Sequence, residues 1–174
     1  MIRSGGVPSR PSEPALPLFS SDSLLRRARA ILGRERRRLR GMTRGELVLT
    51  GGSSIPGAVT RGDIDLHLRV DPAEFESVIR QLSTVYDVVH PDIWSRTLAT
   101  FAVAGEDTGI AVTPIDSEHD RRCTKAWRRL RAEPGVLDAY NRMKLEHATS
   151  DERTYLAAKG RFFERLADGA VDTV

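Results

Sequence analysis

An eight-residue alternation of charged and apolar side chains constrains the fold of this chain more than any other stretch. Residues 63–70 read DIDLHLRV. Successive side chains of a β-strand point to opposite faces of the sheet, so the pattern predicts a strand whose aliphatic side packs against a core. Its other side carries Asp63, Asp65, His67 and Arg69. An ordinary antiparallel strand with a solvated charged face shows the same alternation, so a functional interpretation needs a second feature.

That second feature is a glycine- and serine-rich turn upstream of the strand. Residues 51–54 read GGSS and follow the apolar residues 47–49, so a predicted strand over 46–50 ends there. Adjacent glycines allow a tight turn and a close approach of a ligand. Serine hydroxyls and the backbone amides beside them suit a phosphate. Gly51, Gly52, Ser53 and Ser54 are therefore candidate nucleotide-binding residues.

The two carboxylates of the strand are candidate metal ligands and catalytic residues. Asp63 and Asp65 stand at positions i and i+2, so they point to the same side and repel each other. Such a pair raises the pKa of one member unless a cation compensates. Mg²⁺, or Mn²⁺ in its place, binds carboxylates together with substrate phosphates. Arg61 is either a phosphate neutraliser or an exposed charge, and His67 is a ligand, a proton shuttle or a polar neighbour.

These residues resemble the signature of the nucleotidyltransferase superfamily, in which a Gly-Ser pair is followed about ten residues later by two aspartates separated by one apolar residue. More narrowly, GGSSIPGAVTRGDIDL resembles the corresponding block of the GrpB family. The resemblance runs from about Leu24 to Leu166 and includes these further residues: Leu130–Pro134, Tyr140, Lys144, Tyr155, Lys159 and Phe163. It implies a nucleotidyltransferase-like fold with a site between the sheet and the helices.

Two lysines fall at positions that resemble the family pattern. Lys144 follows Tyr140 by four residues, and Lys159 follows Tyr155 by four, so each pair shares one helical face. Lys144 is a candidate nucleotide-binding residue whose ammonium reaches a triphosphate. The alternative for both lysines is a surface position with a packed aliphatic stem.

A third carboxylate, which many nucleotidyltransferases bring from a later strand, has no clear counterpart here. The predicted strand at 109–114 reads GIAVTP, and Ala111 stands where the GrpB family often has a histidine. Asp107 precedes this strand and Asp116 follows it, so either could reach the site from a strand end, or both are turn residues. The chain therefore binds one metal rather than two, completes the site with one of these acids, or has lost catalysis.

Length, composition and charge limit the number of domains and the kinds of site and partner that this chain can have. The 174 residues suffice for one domain with a sizeable core. The single cysteine, Cys123, allows neither an intramolecular disulfide nor a cysteine-rich metal site. Since no apolar run approaches the ~18 residues of a membrane span and no hydrophobic signal core follows Met1, we predict a cytoplasmic protein. The net charge of +3 is too small to indicate nucleic-acid binding, although the arginine-rich helix faces around Arg36 and Arg128 leave an RNA contact open.

The remaining periodicity predicts an α+β fold, in which a mixed, mostly antiparallel sheet is packed by helices and followed by a helical C-terminal region. The predicted helices begin near Ser21, at Asp71-Pro72 and at Ser117, with a break at Pro134-Gly135 and a last helix capped by Ser150-Asp151. The predicted later strands cover 86–89, 98–104 and 108–115. Residues 1–20 are predicted to be a disordered leader, 21–168 one domain and 169–174 a tail.

Two function classes follow. The first is a Mg²⁺-dependent nucleotidyltransferase that moves a nucleoside monophosphate from an NTP, ATP or GTP, to an acceptor that the sequence does not identify. The second is a non-catalytic module that binds a nucleotide or a phosphometabolite. An RNA-associated protein that uses its arginine faces is a third interpretation, whose affinity would fall steeply with salt. The oligomeric state is not readable from the sequence.

Overall fold

A computed structural model of the chain describes residues 17–169 and residue 171. The strands are β1 (Phe19–Ser20), β2 (Glu46–Thr50), β3 (Val59–Thr60), β4 (Ile64–Val70), β5 (Asp87–Val88), β6 (Ala99–Ala102) and β7 (Thr108–Pro114). The α-helices are α1 (Leu25–Leu39), α2 (Phe75–Leu82), α3 (Glu118–Ala132), α4 (Pro134–Glu146) and α5 (Glu152–Ala167). The predicted leader, up to residue 16, and nearly all of the predicted tail beyond residue 169 lie outside the described residues.

The main sheet has five strands in the order β2-β4-β7-β6-β5. Strands β4 and β7 are parallel, and the other neighbouring pairs are antiparallel. This confirms the predicted α+β class and the mixed, mostly antiparallel sheet. A separate antiparallel pair joins β1 to β3, with Phe19 opposite Thr60. Phe19 and Ser20, which fall inside the predicted leader of residues 1–20, thus pair with a strand of the domain.

The aliphatic side of β4 forms the centre of one hydrophobic core. Its side chains are almost fully buried together with residues of α1, α2, β6 and β7. A second core lies among α3, α4 and α5, where Leu130, Tyr140 and Phe162 are each about 1% exposed. Since α1 and α2 pack on the aliphatic face of β4 and α3 packs on the other face, the polar side chains of β4 lie between the sheet and the C-terminal helices.

The polar face of β4 is therefore covered rather than solvated along its second half. Arg69 makes a bidentate contact with Asp120 of α3, through Nε–Oδ1 at 2.6 Å and Nη2–Oδ2 at 2.9 Å. The His67 side chain is only 1% exposed. The interpretation of this strand as one with a solvated charged face is wrong for these two residues, because α3 supplies a buried counter-charge.

The predicted cap of the last helix is confirmed, whereas α2 begins later than the sequence predicts. Asp151 caps α5 by accepting a hydrogen bond from the Thr154 amide at 2.9 Å. Asp71 accepts a hydrogen bond from the Ala73 amide at 2.8 Å, but residues 72–74 form a turn and α2 begins at Phe75. Among residues 17–169, no helix is long and apolar enough to cross a membrane.

Candidate functional site

The glycine-serine turn is shaped by its contact with the acid strand. Gly51 directly follows β2 and has a positive φ of 72° with a ψ of 177°, and residues 52–54 form one 3-10 turn. The Gly51 α-carbon packs directly on the carboxylate of Asp65, so that an added Cβ would overlap Oδ2. Both the positive φ and the close approach require glycine at this position.

The two serine hydroxyls of the turn bond within the protein. Ser53, which is fully buried, donates to the Asp63 carbonyl and lies 3.1 Å from Thr60 Oγ1. Ser54 donates to the Gly51 carbonyl at 2.7 Å and accepts from Arg131 Nη2 at 2.9 Å. These bonds hold the turn to the loop before β4. The first backbone amides of this turn suit a phosphate, because they have no acceptor within a helical turn, and both hydroxyls named by the sequence donate to backbone carbonyls in this structure.

The structure brings Asp63 and Asp65 together at the rim of a cavity of about 530 Å³. Burial raises the pKa of Asp65, and the neighbouring charge of Asp63 raises it further, while Lys159 and Lys144 oppose the shift. Asp63 accepts a long hydrogen bond from Thr60 Oγ1 at 3.4 Å. The mutual repulsion expected from their i, i+2 spacing is therefore present in the folded chain, together with two lysines that partly offset it.

Lys144 lies beside the glycine turn, although it comes from α4. Its side chain is buried, and its Nζ lies 5.0 Å from the centroid of the Tyr140 ring. A Cβ placed on Gly52 would lie 3.4 Å from the same Nζ. Burial and the nearby charge of Lys159 lower the pKa of Lys144 to about 8, against the opposing pull of Asp63 and Asp65. A buried ammonium thus lies at the position where the sequence places the phosphates.

Arg61 and Lys159 are two further cations near the glycine turn and the acid pair. The Arg61 guanidinium stacks over the ring of Tyr155, with Cζ 3.5 Å from the centroid. Lys159, one helical turn after Tyr155 on α5, lines the same cavity as the two aspartates. Arg61 is therefore held against a helix instead of being a freely solvated charge. The sequence had placed Lys159 at a family-like position without deciding its role, and the i, i+4 spacing from Tyr155 was the signal that located it.

Strand register places the two candidates for a third carboxylate at opposite ends of β7. Because β4 and β7 are parallel with Ile64 opposite Thr108, Asp107 lies next to Asp63 at the same end of the sheet. Asp107 lines the cavity with the two aspartates and helps to raise the pKa of Asp65. Asp116 follows the other end of the seven-residue β7, roughly 20 Å away along the strand. Gly109 and Ala111, opposite Asp65 and His67, supply no acid.

His67 is bound into the interface with α3 rather than directed at the acid pair. Its Nε2 lies 2.7 Å from Thr113 Oγ1 and 3.8 Å from Asp120 Oδ1. Burial lowers the pKa of His67 to about 4, so the ring is neutral near pH 7. Burial acts to raise the pKa of Asp120, but its bonds to Arg69 and to the Asp116 amide dominate and lower it. This network fixes α3 on the sheet, and the polar-neighbour interpretation of His67 is the one that the geometry fits.

Cys123 and Trp127 of α3 also line the cavity, although neither is predicted from the sequence as a site residue. Cys123 lies 4.0 Å from Thr50 Oγ1, and burial raises the pKa of its thiol. Their spacing of four residues on a helix was the only available signal. Among the described residues, no cluster of three or more His, Cys, Asp or Glu side chains has an arrangement that could hold a metal ion.

Sequence comparison identifies relatives over most of the chain. The model of the family described as GrpB protein matches residues 29–168. A UPF0157 protein of Vibrio cholerae is 31% identical over 119 residues, which are 67% of this chain and 62% of that protein. The matched region thus spans less than two thirds of the relative's length.

Three solved structures share the fold. The conserved protein GrpB from Enterococcus faecalis matches with a TM-score of 0.70 at 13% identity, over 88% of this chain and 96% of that one. Cid1, described by its RNA terminal uridylyl transferase activity, matches at 0.52 and 16% identity over 74% of this chain and 41% of its own. The GLD-2/RNP-8 complex matches at 0.50 and 16% identity, over 88% of this chain and 62% of its own. These similarities confirm the nucleotidyltransferase-like fold.

Proposed function

The chain belongs to the GrpB family, and from this premise we propose that it is a metal-dependent nucleotidyltransferase. In this proposal, an NTP binds between the glycine turn and helices α4 and α5. A nucleoside monophosphate then passes to the hydroxyl or amine of an acceptor, and pyrophosphate leaves.

The observation that carries the proposal is the burial of Lys144 beside Gly52, next to a carboxylate pair. An ammonium group loses hydration when it is buried, and this loss is unfavourable unless negative charge compensates it. Asp63 and Asp65 supply part of that charge, since both act to raise the pKa of Lys144, but burial and Lys159 prevail and lower it. A polyphosphate at the turn would supply more negative charge. The site is thus better matched to a bound anion than to water.

Lys144, Lys159 and Arg61 would share the charge of the triphosphate. All three lie close enough to interact electrostatically, because Lys159 and Arg61 both lower the pKa of Lys144. Mutual repulsion among three cations would be relieved by the phosphates. The charge that builds on the leaving pyrophosphate is stabilised best by groups already fixed in place. The stacking of Arg61 on Tyr155 and the packing of Lys144 on Tyr140 provide that preorganisation.

The two aspartates fit a divalent cation. They offer carboxylate oxygens, the donors that Mg²⁺ and Mn²⁺ prefer, and a bound cation would offset the rise in the pKa of Asp65 that burial and the neighbouring charge of Asp63 cause. Gly51 packs closely on one side of the Asp65 carboxylate, but the Gly109 side leaves room, since even a Cβ on Gly109 would lie 4.0 Å from Asp65 Oδ1. When bound, the ion would supply positive charge at the reacting phosphate. Asp107 would be the third carboxylate and would orient the attacking hydroxyl or amine.

A non-catalytic nucleotide- or phosphometabolite-binding module is the second candidate, and one observation favours it. On β7, the positions opposite Asp65 and His67 are Gly109 and Ala111. Asp107 is therefore the remaining candidate for the third carboxylate, and it precedes β7 instead of lying on it. A chain that kept the turn and the acid pair but lost the strand carboxylate would bind a nucleotide without turning it over.

Two measurements on the same variants separate these candidates. ATP and GTP are titrated with Mg²⁺ into wild type, Lys144→Met and the exposed control Lys125→Met, and pyrophosphate release is followed with a panel of amine and polyol acceptors. We expect Lys144→Met to weaken binding roughly tenfold or more and Lys125→Met to leave it unchanged. Release of pyrophosphate supports transfer, whereas binding without release supports the binding module. Absence of nucleotide binding by wild type would contradict the transferase and a module that binds a nucleotide.

A further inference from the structure

A second cavity, of about 400 Å³, lies between α3 and α5. Its wall is almost entirely apolar and includes Ala126, Trp127, Phe163, Leu166 and Ala167. It shares two lining residues, Cys123 and Trp127, with the cavity of the acid pair. The lining residues Arg121, Arg122, Lys125 and Ala167 are exposed, so the cavity is a groove that opens at the protein surface.

The helices that form this cavity are fixed to each other. Lys125 Nζ donates to the Ala167 carbonyl at 3.2 Å, and Arg129 Nη1 donates to the Leu166 carbonyl at 2.7 Å. The rings of Trp127 and Phe163 lie 5.3 Å apart in an edge-to-face arrangement. These contacts hold the end of α5 against α3. The cavity is thus preformed, and a ligand would not have to separate the helices.

The rim of the cavity is positively charged. Arg121, Arg122 and Lys125 are exposed residues whose side chains contribute to the lining. Their aliphatic stems can cover apolar surface while the charged ends stay in water. None of the ten lining residues is an aspartate or a glutamate, and His119 at the edge is bonded through Nδ1 to Thr97 Oγ1 at 2.7 Å. The apolar wall suits the hydrocarbon part of a ligand, and the positively charged rim suits a negatively charged group on the same ligand.

We propose that this cavity binds a small apolar monoanion, such as a medium-chain carboxylate. The hydrocarbon part would lie against Trp127, Phe163 and Leu166, and the carboxylate would face Arg121 and Arg122. Small-molecule pockets of a few hundred Å³ that are apolar with a few polar groups bind ligands of this kind. This site goes beyond nucleotide transfer, because neither the glycine turn nor Asp63 and Asp65 line it.

Tryptophan fluorescence gives a direct test, because the chain has two tryptophans and one of them lines the cavity. A Trp94→Phe background leaves Trp127 as the single reporter. Sodium octanoate and neutral 1-octanol are titrated into this protein, into Arg121→Gln/Arg122→Gln, and into the control Arg128→Gln, which removes a charge from the same helix outside the cavity. Ala126→Leu, which partly fills the opening, is titrated as well.

We expect a saturable change in Trp127 emission with octanoate and at least fivefold weaker binding of octanol, roughly the worth of two exposed ion pairs. The double arginine variant should lose the preference for octanoate, Ala126→Leu should weaken both ligands, and Arg128→Gln should bind as the background does. Equal affinity for both ligands in the background protein, or no change in emission with either, would overturn the proposal. Octanoate binding should survive Asp63→Asn/Asp65→Asn, so this result is separate from the fate of the proposed transferase activity.

Discussion

Gly51 and Asp65 are in direct contact across the end of the β2-β4 pair. The Gly51 α-carbon rests on the Asp65 carboxylate, and a Cβ added at Gly51 would lie 2.7 Å from Asp65 Cγ, well inside contact distance. The turn and the acid pair, which the sequence presents as two separate motifs fourteen positions apart, are thus one packed unit. A substitution at Gly51 must therefore change the packing around the Asp65 carboxylate.

Gly51→Ala is therefore expected to disturb both stability and the site. Gly57→Ala is a matched control, because Gly57 also has a positive φ, 76°, but nothing lies within 4 Å of an added Cβ. The backbone of Gly51, with φ of 72° and ψ of 177°, lies in a region nearly restricted to glycine and should cost Gly51→Ala about 1–3 kcal/mol. The positive φ at Gly57 should cost about 1–2 kcal/mol, and overlap with Asp65 should add roughly 1–3 kcal/mol at Gly51 alone. Urea denaturation measures the difference. Equal destabilisation of the two variants would contradict the contact.

The pKa of Lys144 predicts opposite pH dependences for stability and for nucleotide binding. Its pKa is about 8 in the folded chain and 10.5 in the reference state. Between these values the unfolded chain holds the extra proton, so stability should rise with pH. Nucleotide affinity should fall over the same range, because the folded protein loses the ammonium. Both trends should vanish in Lys144→Met, as followed by denaturation and by titration between pH 7 and 10. Retention of either trend in that variant would assign it to another group.

His67 predicts a loss of stability in mild acid. Burial lowers its pKa from 6.5 to about 4 in the folded chain. Between these values the unfolded chain binds a proton that the folded chain does not, so the stabilisation present above pH 6.5 should be lost progressively as the pH falls toward 4. His67→Gln keeps a group that can bond to Thr113 and does not titrate. Its unfolding free energy should therefore fall less between pH 6.5 and 4, and an unchanged slope would contradict the assignment.

The positions of Asp107 and Asp116 predict that an Asp→Asn substitution affects nucleotide binding or turnover at the first residue and not at the second. Asp107→Asn removes a charge beside Asp63 and Asp65, and its backbone carbonyl can still accept from the Ile64 amide as it does now at 2.9 Å. We expect it to weaken Mg²⁺-dependent nucleotide binding or turnover roughly tenfold. Asp116→Asn, at the far end of β7, should leave both unchanged. Asn tolerates the positive φ of 61° at that position, so misfolding does not confuse the comparison.

Much of the fold could be predicted from the sequence, because its signals are local. The alternation at 63–70 gave β4 its faces, Glu46–Thr50 was placed as a strand, and Pro134 marked the junction of α3 and α4. The start of α2 was misplaced, since Pro72 and Glu74 favour a helix but the chain completes a turn first. The pairing of Phe19 with Thr60 has no local signal, because it joins residues forty-one positions apart.

The site was less accessible to sequence reasoning, because it depends on register and on helix docking. The choice between Asp107 and Asp116 required knowing that β7 runs parallel to β4. The residue type of Ser53 makes it a candidate phosphate ligand, whereas its hydrogen bond to the Asp63 carbonyl has no local signal in the sequence. The spacing of Tyr140 and Lys144 marked Lys144 as a candidate, but its approach to Gly52 follows from the packing of α4, which no local pattern reveals.

The central claim is that Asp63 and Asp65 form a metal-dependent nucleotide site with the glycine turn. The most direct test is calorimetric titration of non-hydrolysable ATP and GTP analogues, with and without Mg²⁺, into wild type, Asp63→Asn/Asp65→Asn and the distant control Asp116→Asn. We predict Mg²⁺-dependent binding that the control retains and the double variant loses. Equal binding by wild type and the double variant, or no binding by either, would contradict the claim.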